Sequence, residues 1–486
     1  MSKIVILGAG ISGHTAAAHL IRKLGKKHEI LVVSPNRNYQ WVPSNIWVGI
    51  GRMNAKDVIF PLEPLYKRKG IGYKQAKAVS FHPEGDDLES KPYILVEGVY
   101  GETLGKQEKV TYDYLINATG PKLAFDMTEG LQPGTNKVFS VCTYDHAEHA
   151  SEALHKLIDH LKKADKKAKI LIGTGHAKAT YQGAAFEYIL NVEKELQKFG
   201  VRNKAEITWI SNEYELGDFG MDGMLMEYNG FNMKSKDMVE MIFEDRDIKW
   251  ILGAGVTKVD DGLVHYENLD GEYKTETFDF AMLIPAFSGH GFKAFDKQNN
   301  DITEKLFRGF MVVDADYTAK PYEDWTVQDW PETYQNPSYP TIFAPGIAFA
   351  PPHAISKPRT SKNGTEIFPT PPRTGMPSGI SARLVADNII DSIKSGKESL
   401  NHKGSLGNMG AACIASAGYG MTQGSGVSIT TYPIVPDYKK YPDTGGRDIN
   451  KTFGDIGLAG HWVKLSLHYA FLYKAKMKPF WWLIPE

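Results

Sequence analysis

The first apolar run of the chain is Ile4–Leu7, four consecutive hydrophobic residues with no polar alternation. Such a run predicts a strand buried on both faces, as in a parallel sheet. It leads into Gly8, Gly10 and Gly13, spaced G-x-G-x-x-G, and then into the helix-like stretch HTAAAHLIRKL. A second apolar run follows at EILVVS (29–34), and a third at 114–118 within YDYLINATGP. The same order of strand, glycine turn and helix recurs at KILIGTGHAKATYQGAAFEYIL (169–190), followed by the strand-like EITWISN (206–212) and FDFAMLIPAFSG (278–289). Strands alternating with helices predict an α/β fold of tandem Rossmann-like dinucleotide-binding domains. The expected divisions are 1–122 with 300–395 for the first unit, 123–299 for the second and 396–486 for a C-terminal region. Residues 317–377 are dense in proline and aromatic residues and predict a long irregular excursion.

The pattern changes at the end of the chain. In residues 461–486, Trp462, Leu465, Tyr469, Leu472 and Tyr473 fall at i, i+3, i+7, i+10 and i+11, one apolar helical face. Lys464, Lys474, Lys476 and Lys478 add positive charge, and Trp481 and Trp482 follow Pro479, which is expected to end the helix. This reads as a helix lying in a membrane surface with its basic groups toward headgroups. An amphipathic helix packed on its own domain or on a sister subunit is the alternative, so a homo-oligomer stays open.

Composition narrows the classes. A chain of 486 residues is expected to hold about three units of ~150 residues. Lys plus Arg number 56 against 57 Asp plus Glu, so a nucleic-acid partner is not expected. The two cysteines, Cys142 and Cys413, exclude a disulfide scaffold and a four-cysteine metal site, and no histidine spacing suggests a metal. No run of about 18 apolar residues occurs, and the first strand starts without a leader. The expectation is a peripheral protein on the cytoplasmic side of a membrane.

Each glycine of the first motif has a physical use. Gly8 permits a sharp turn, Gly10 lets backbone approach a pyrophosphate, and Gly13 lets helix and strand pack closely, with the helix N-terminus facing the phosphates. The acid expected on the ribose is replaced by Ser34, which weakens NAD more than FAD. The segment Ala118-Thr119-Gly120-Pro121 resembles the second fingerprint of two-dinucleotide-domain flavoproteins. TIFAPGIAF (341–349) resembles their later flavin fingerprint, with Ile347 after Gly346 where many carry Asp. In the second glycine turn Lys178 takes the third glycine position, where a long side chain opposes close packing and argues against NAD(P)H.

Over essentially its whole length the chain resembles the sulfide:quinone oxidoreductase family, including relatives of flavocytochrome c sulfide dehydrogenase. The matching pieces are Gly8–Gly13, YQWVPSNIWVGIG (39–51), Thr119–Pro121, SVCTYDHA (140–147), QGAAFE (182–187), TPPRTGMPSG (370–379) and MGAACIA (409–415). The resemblance implies bound FAD, oxidation of sulfide or a related small sulfur compound, and transfer of electrons to membrane quinone. It implies that Cys413 is the flavin-proximal cysteine and that Cys142 is a second family cysteine, a possible covalent tether for FAD. It also gives His146 a part in proton movement and places Glu187 near the reacting centre. Pro43 and Gly375 are carried over as cofactor contacts beside Gly8, Gly10, Gly13, Ser34, Ala118, Thr119, Gly120 and Gly346. The departures are Tyr181 where sulfide-oxidising members carry a third cysteine, Asp218 in place of a second histidine, and Ser378 in place of a lysine. Without the family context both cysteines read as small buried hydrophobes. Two rivals stay open: a type II NADH:quinone-like reductase, and a flavin-holding sulfur-binding subunit without turnover.

Overall fold

The computed structural model describes residues 1–163, 166–372, 374–420 and 422–486. Arg373 of the TPPRTGMPSG segment lies outside the described residues. The first apolar runs form one parallel sheet in the order Ile342–Phe343, Tyr114–Asn117, Lys3–Leu7, Glu29–Val33, Gly72–Lys74. Strand Lys3–Leu7 sits in the middle, and Ile4, Val5 and Ile6 are wholly buried, as an unbroken apolar run requires. The helix Ile11–Leu24 covers one face and packs along the helix Gly375–Ser395, so sequence-distant halves close a single unit.

The second parallel sheet runs Val138–Phe139, Phe280–Ile284, Ala168–Thr174, Ala205–Ile210, Ile248–Ile251. The two units are joined by a pair of crossing strands, Lys122–Ala124 antiparallel to Ala286–Ser288. The fold is therefore the tandem Rossmann-like arrangement read from the sequence.

A third sheet was not legible from the pattern. Strands Ala411–Tyr419, Gln423–Thr431 and Phe453–Gly457 form an antiparallel meander. The hairpin Leu225–Tyr228 and Phe231–Lys234, from the sequence stretch of the second unit, joins its far side. Ala411–Tyr419 is one edge strand and Phe231–Lys234 the other. The helix Gln182–Lys198 packs on this strand, as does the terminal helix Leu458–Ala475. Fully buried Arg447 ties the segment before the hairpin to the meander, donating to Thr431 Oγ1 at 3.1 Å, Ile434 O at 2.7 Å and Met221 O at 2.5 Å.

Behind the second glycine turn lie two buried acids. Glu213 accepts from the Phe219 amide at 2.8 Å and from Ser211 Oγ at 2.7 Å. Burial first, and then neighbouring Asp218, push its carboxyl up from 4.5 to about 8. Burial likewise raises Asp218 to about 6. A raised folded-state value favours the folded state below the ordinary carboxylate range and loses that contribution as pH rises through the raised value. The melting midpoint is therefore expected to fall by several degrees between pH 5 and pH 9. In Glu213→Gln the slope above pH 6 should flatten, which calorimetry across that range would check.

Candidate active site

The two parallel units and the third sheet enclose a cavity of about 430 Å³. The helix that follows the first glycine turn borders it through Ile11, His14 and Thr15. Gly8 has φ +93°, and a Cβ there would lie 2.3 Å from Ala118 O. A Cβ on Gly13 would lie 2.1 Å from Gly8 O, whereas one on Gly10 would meet nothing within 4 Å. Gly8 and Gly13 are thus fixed by protein packing, and Gly10 opens onto space at the N-terminus of helix Ile11–Leu24. That is the cradle a pyrophosphate needs. Pro43, Gly346 and Gly375 all line the same cavity. Gly346 has φ +71° and presses on Ser12, where a Cβ would lie 2.1 Å from the hydroxyl. Thr119 and Gly120 follow the strand beside Gly8, with the Thr119 hydroxyl donating to Asn117 Oδ1 at 2.8 Å. Ser34 is buried at the end of its strand and accepts from the Asn36 amide at 3.2 Å. The residues present fit FAD, with Gly10 and the helix N-terminus for its phosphates.

The edge strand Ala411–Tyr419 sorts another wall of the cavity by its period of two. A Cβ on Gly183 would lie 3.6 Å from Cys413 Sγ, so Cys413 faces the start of helix Gln182–Lys198. The even-numbered residues face the terminal helix: Ser416 Oγ meets His461 Nδ1 at 2.7 Å. Around the free edge the two helices meet. Lys464 Nζ donates to Glu187 Oε2 at 2.9 Å, and the Ser416 amide donates to Glu187 Oε1 at 3.1 Å. Glu187 is 4% exposed, and burial, opposed by Lys464, pushes its carboxyl up. Burial also raises the Cys413 thiol; Lys464 opposes this and Glu187 adds to it. The thiol nevertheless opens onto the cavity.

Tyr181 stands on the same wall, immediately before the helix, with φ +75°. That left-handed conformation is costly for a bulky residue, and such strain concentrates at functional sites. Burial and then the thiols of Cys413 and Cys142 drive its hydroxyl well above the ordinary range, so the ring neighbours both cysteines. Cys142 itself does not line the cavity, and burial pushes its thiol up to about 11. His146 is not brought to the cavity either. It stands edge-on to Phe125 at 5.7 Å, and burial pulls its pKa down. Cys413 and Glu187 are thus assembled at one place, whereas Cys142 neighbours Tyr181 off the cavity wall and His146 is packed against Phe125.

The second glycine turn is filled by the chain itself. The Phe368 amide donates to Ala177 O at 3.1 Å and the Thr370 amide to Ala179 O at 3.3 Å. Thr180 Oγ1 donates to Thr370 O at 3.0 Å, and Lys178 pairs with Glu366 at 2.9 Å while its ammonium lies 3.5 Å from the Phe368 ring centre. Lys178 thus clamps the proline-rich excursion against the segment that follows the second glycine turn.

The terminal helix corrects the sequence reading in three ways. Lys464 and Lys474 point inward: Lys474 is buried and pairs with Glu486 at 2.8 Å. The helix ends at Ala475, ahead of Pro479. Trp481 is buried edge-on to His19, while Trp482 stays exposed. Lys464 and His468 were missed as cavity residues; their spacing gives one inward helical face with Leu467 and Phe471, masked in sequence by lysines among apolar residues. No cluster among the described residues has the make-up of a metal site.

The glycine geometry separates folding from binding. Gly10→Ala should fold with an unchanged melting midpoint and lose flavin, whereas Gly13→Ala should lower the midpoint itself. Purified flavin content and thermal melts of both variants would check this.

Residues 2–177 match the family model of pyridine nucleotide-disulphide oxidoreductases. The chain is 27% identical over 474 residues to the sulfide-quinone reductase of Aquifex aeolicus, covering 97% of this chain and 91% of that protein. The crystal structure of the sulfide:quinone oxidoreductase from the same bacterium superposes with a TM-score of 0.73 at 25% identity, covering 98% of this chain and 92% of the other. An NDH2 structure from Plasmodium falciparum shares the fold at 14% identity and a TM-score of 0.62, covering 98% and 96%. With Gly346 and Gly375 beside the first glycine turn and Cys413 on the wall of the same cavity, the chain is similar over nearly its whole length to the sulfide:quinone oxidoreductases.

Proposed function

We propose that the protein is an FAD-dependent oxidoreductase that takes two electrons from sulfide, or a related small sulfur compound, and delivers them to quinone. The observation that carries this reading is the placing of Cys413 beside the buried Glu187–Lys464 pair, on a wall shared with the flavin cradle. Bound FAD would supply the exchange of an electron pair between the two substrates. The glycine turn at Gly8–Gly13 would hold its phosphates, and Pro43, Gly346 and Gly375 would border the rest.

Cys413 is the nucleophile facing sulfur. A thiolate is the reactive form, and the Lys464 ammonium is the cation that favours it against burial. Glu187, raised by burial and held by two donors, can hold a proton at a carboxyl oxygen within the cavity wall. Apolar lining by Phe186, Phe219, Met221 and Met224 limits water around the thiol. Tyr181 leaves Cys413 as the working cysteine, with Cys142 as a second thiol off the cavity wall. His146 and a covalent FAD link at Cys142 remain readings from the resemblance that the geometry supports less.

The NADH reading is weakened by Lys178 at the third glycine position and by segment 366–371, which is hydrogen-bonded to the residues after the second glycine turn. The reading without turnover draws its support from Tyr181. Membrane docking is supported by the outer face of the terminal helix and the turn after it. Trp462, Tyr469, Tyr473, Phe480, Trp482 and Leu483 are all exposed. No helix among the described residues is long and apolar enough to cross a membrane, so the contact would be peripheral, and we place it on the cytoplasmic side.

Anaerobic sulfide is expected to bleach the flavin of the wild type and a short-chain quinone to restore it, while NADH leaves it oxidised. Cys413→Ala should retain flavin and lose at least 100-fold in sulfide-driven bleaching, on the order expected for an absent nucleophile. Full activity in that variant would sink the assignment. Tyr469→Ser with Tyr473→Ser should weaken co-sedimentation with phospholipid vesicles several-fold and leave bleaching by sulfide intact.

A further inference from the structure

The terminal helix brings a second polar group to the cavity, one turn on from Lys464. His468 is 2% exposed, lines the cavity, and has its Nδ1 2.8 Å from the hydroxyl of Ser44. Its Nε2 has no hydrogen-bond partner among the described residues. A buried imidazole with one nitrogen anchored and the other unengaged at a cavity is poised for a ligand.

The surroundings define that ligand's shape. Leu467 and Phe471 flank His468 on the inward helical face, and Phe471 stacks on Trp41 at 5.1 Å and 18°. Trp47 lies 6.0 Å from the imidazole. Trp41, Leu467 and Phe471 give the slot flat apolar walls, with Trp47 packed behind the imidazole, and its polar groups are His468 with Ser44, and Lys464 one turn back; this suits a planar ring bearing a carbonyl oxygen. It lies along the terminal helix, which packs on the side of the edge strand opposite that of Cys413.

We propose that His468, oriented by Ser44, is the hydrogen-bond partner of a carbonyl oxygen of the quinone. This rests on the reading of quinone as the electron acceptor. The chemistry of the Ser44–His468 pair fits a ligand that changes between two hydrogen-bonding forms. With the serine hydroxyl donating to Nδ1, Nε2 carries the hydrogen and donates to a quinone carbonyl. With Nδ1 donating to the serine oxygen, Nε2 accepts from the hydroxyl of a quinol. The same side chain thus serves both substrate and product without gaining or losing net charge.

The imidazole is neutral in this setting. Burial pulls its pKa down to about 4; Asp57 opposes this, and Lys464, Lys476 and Arg52 reinforce it. Its role is therefore that of a neutral donor or acceptor, distinct from the ammonium of Lys464 on the same face.

The test uses the full-length, flavin-loaded protein with decylubiquinone as the probe. Three quantities are measured: bleaching by sulfide, reoxidation of the reduced flavin by decylubiquinone, and decylubiquinone affinity from quenching of tryptophan fluorescence. His468→Leu should leave bleaching within twofold of wild type, and weaken both reoxidation and affinity roughly tenfold, as for one lost hydrogen bond. Ferricyanide, which needs no such bond, should reoxidise the variant as fast as the wild type. His468→Gln, which keeps a donor, should recover part of the affinity. Unchanged affinity and reoxidation in His468→Leu would overturn the assignment. Should that variant lose flavin, Ser44→Ala decides, since it removes one oxygen and leaves the packing: a full-strength response to decylubiquinone there would also overturn it. Failure of decylubiquinone to reoxidise the wild type would instead remove the quinone reading, and the role of His468 with it.

Discussion

The ion pair between Glu187 and Lys464 is the joint on which the site depends. It bridges a helix of the second unit and the terminal helix, around the Ala411–Tyr419 edge of the third sheet. Both groups are largely buried, so each is tolerable only in the presence of the other. Removing one partner of such a pair typically costs about 3–5 kcal/mol, because an uncompensated charge stays behind. The pair also sets the electrostatics of Cys413, whose thiol feels the cation as a favourable influence and the carboxylate as an adverse one. One contact therefore closes the cavity, places the thiol and supplies a proton-holding group.

The two glycine turns show how similar local sequences reach different ends. At the first, Gly10 faces open space, and the helix N-terminus is available to phosphates. At the second, Gly173 and Gly175 are packed against Ile210 and Leu131, and the excursion is hydrogen-bonded across the mouth of the turn. Lys178, which breaks the glycine spacing, is the residue that grips the excursion through Glu366 and Phe368. A departure from the motif that reads in sequence as mere loss is, in the fold, a clamp.

Much of the architecture was legible. Unbroken apolar runs announced the parallel strands because burial on both faces leaves no room for alternation. Gly8–Gly13, Glu187 and Cys413 were identified as site residues on motif and resemblance; Glu187 and Cys413 are wall residues of the cavity, and the three glycines lie at or just before the first turn of helix Ile11–Leu24, which lines it. Lys464 and Lys474 were misread because a lysine beside apolar residues looks the same whether it meets lipid headgroups or a buried carboxylate. Their partners, Glu187 and Glu486, are respectively 277 and 12 positions away, and only the first of those separations is long enough to hide the pairing entirely. The third sheet escaped notice because its hairpin, 225–234, is separated by some two hundred residues from the meander it joins.

The sequence by itself determined the local chemistry: where strands and turns fall, which turn has room for a pyrophosphate, and that two thiols are all the chain can offer. These are properties of neighbouring residues, fixed by backbone sterics and by the period of the apolar pattern. The tertiary structure alone decided which thiol reaches the cavity, which lysine meets Glu187, that the second turn is plugged, and that Ser44 holds His468. Those are long-range pairings, selected by burial and charge compensation in a packed interior, and no local pattern encodes them.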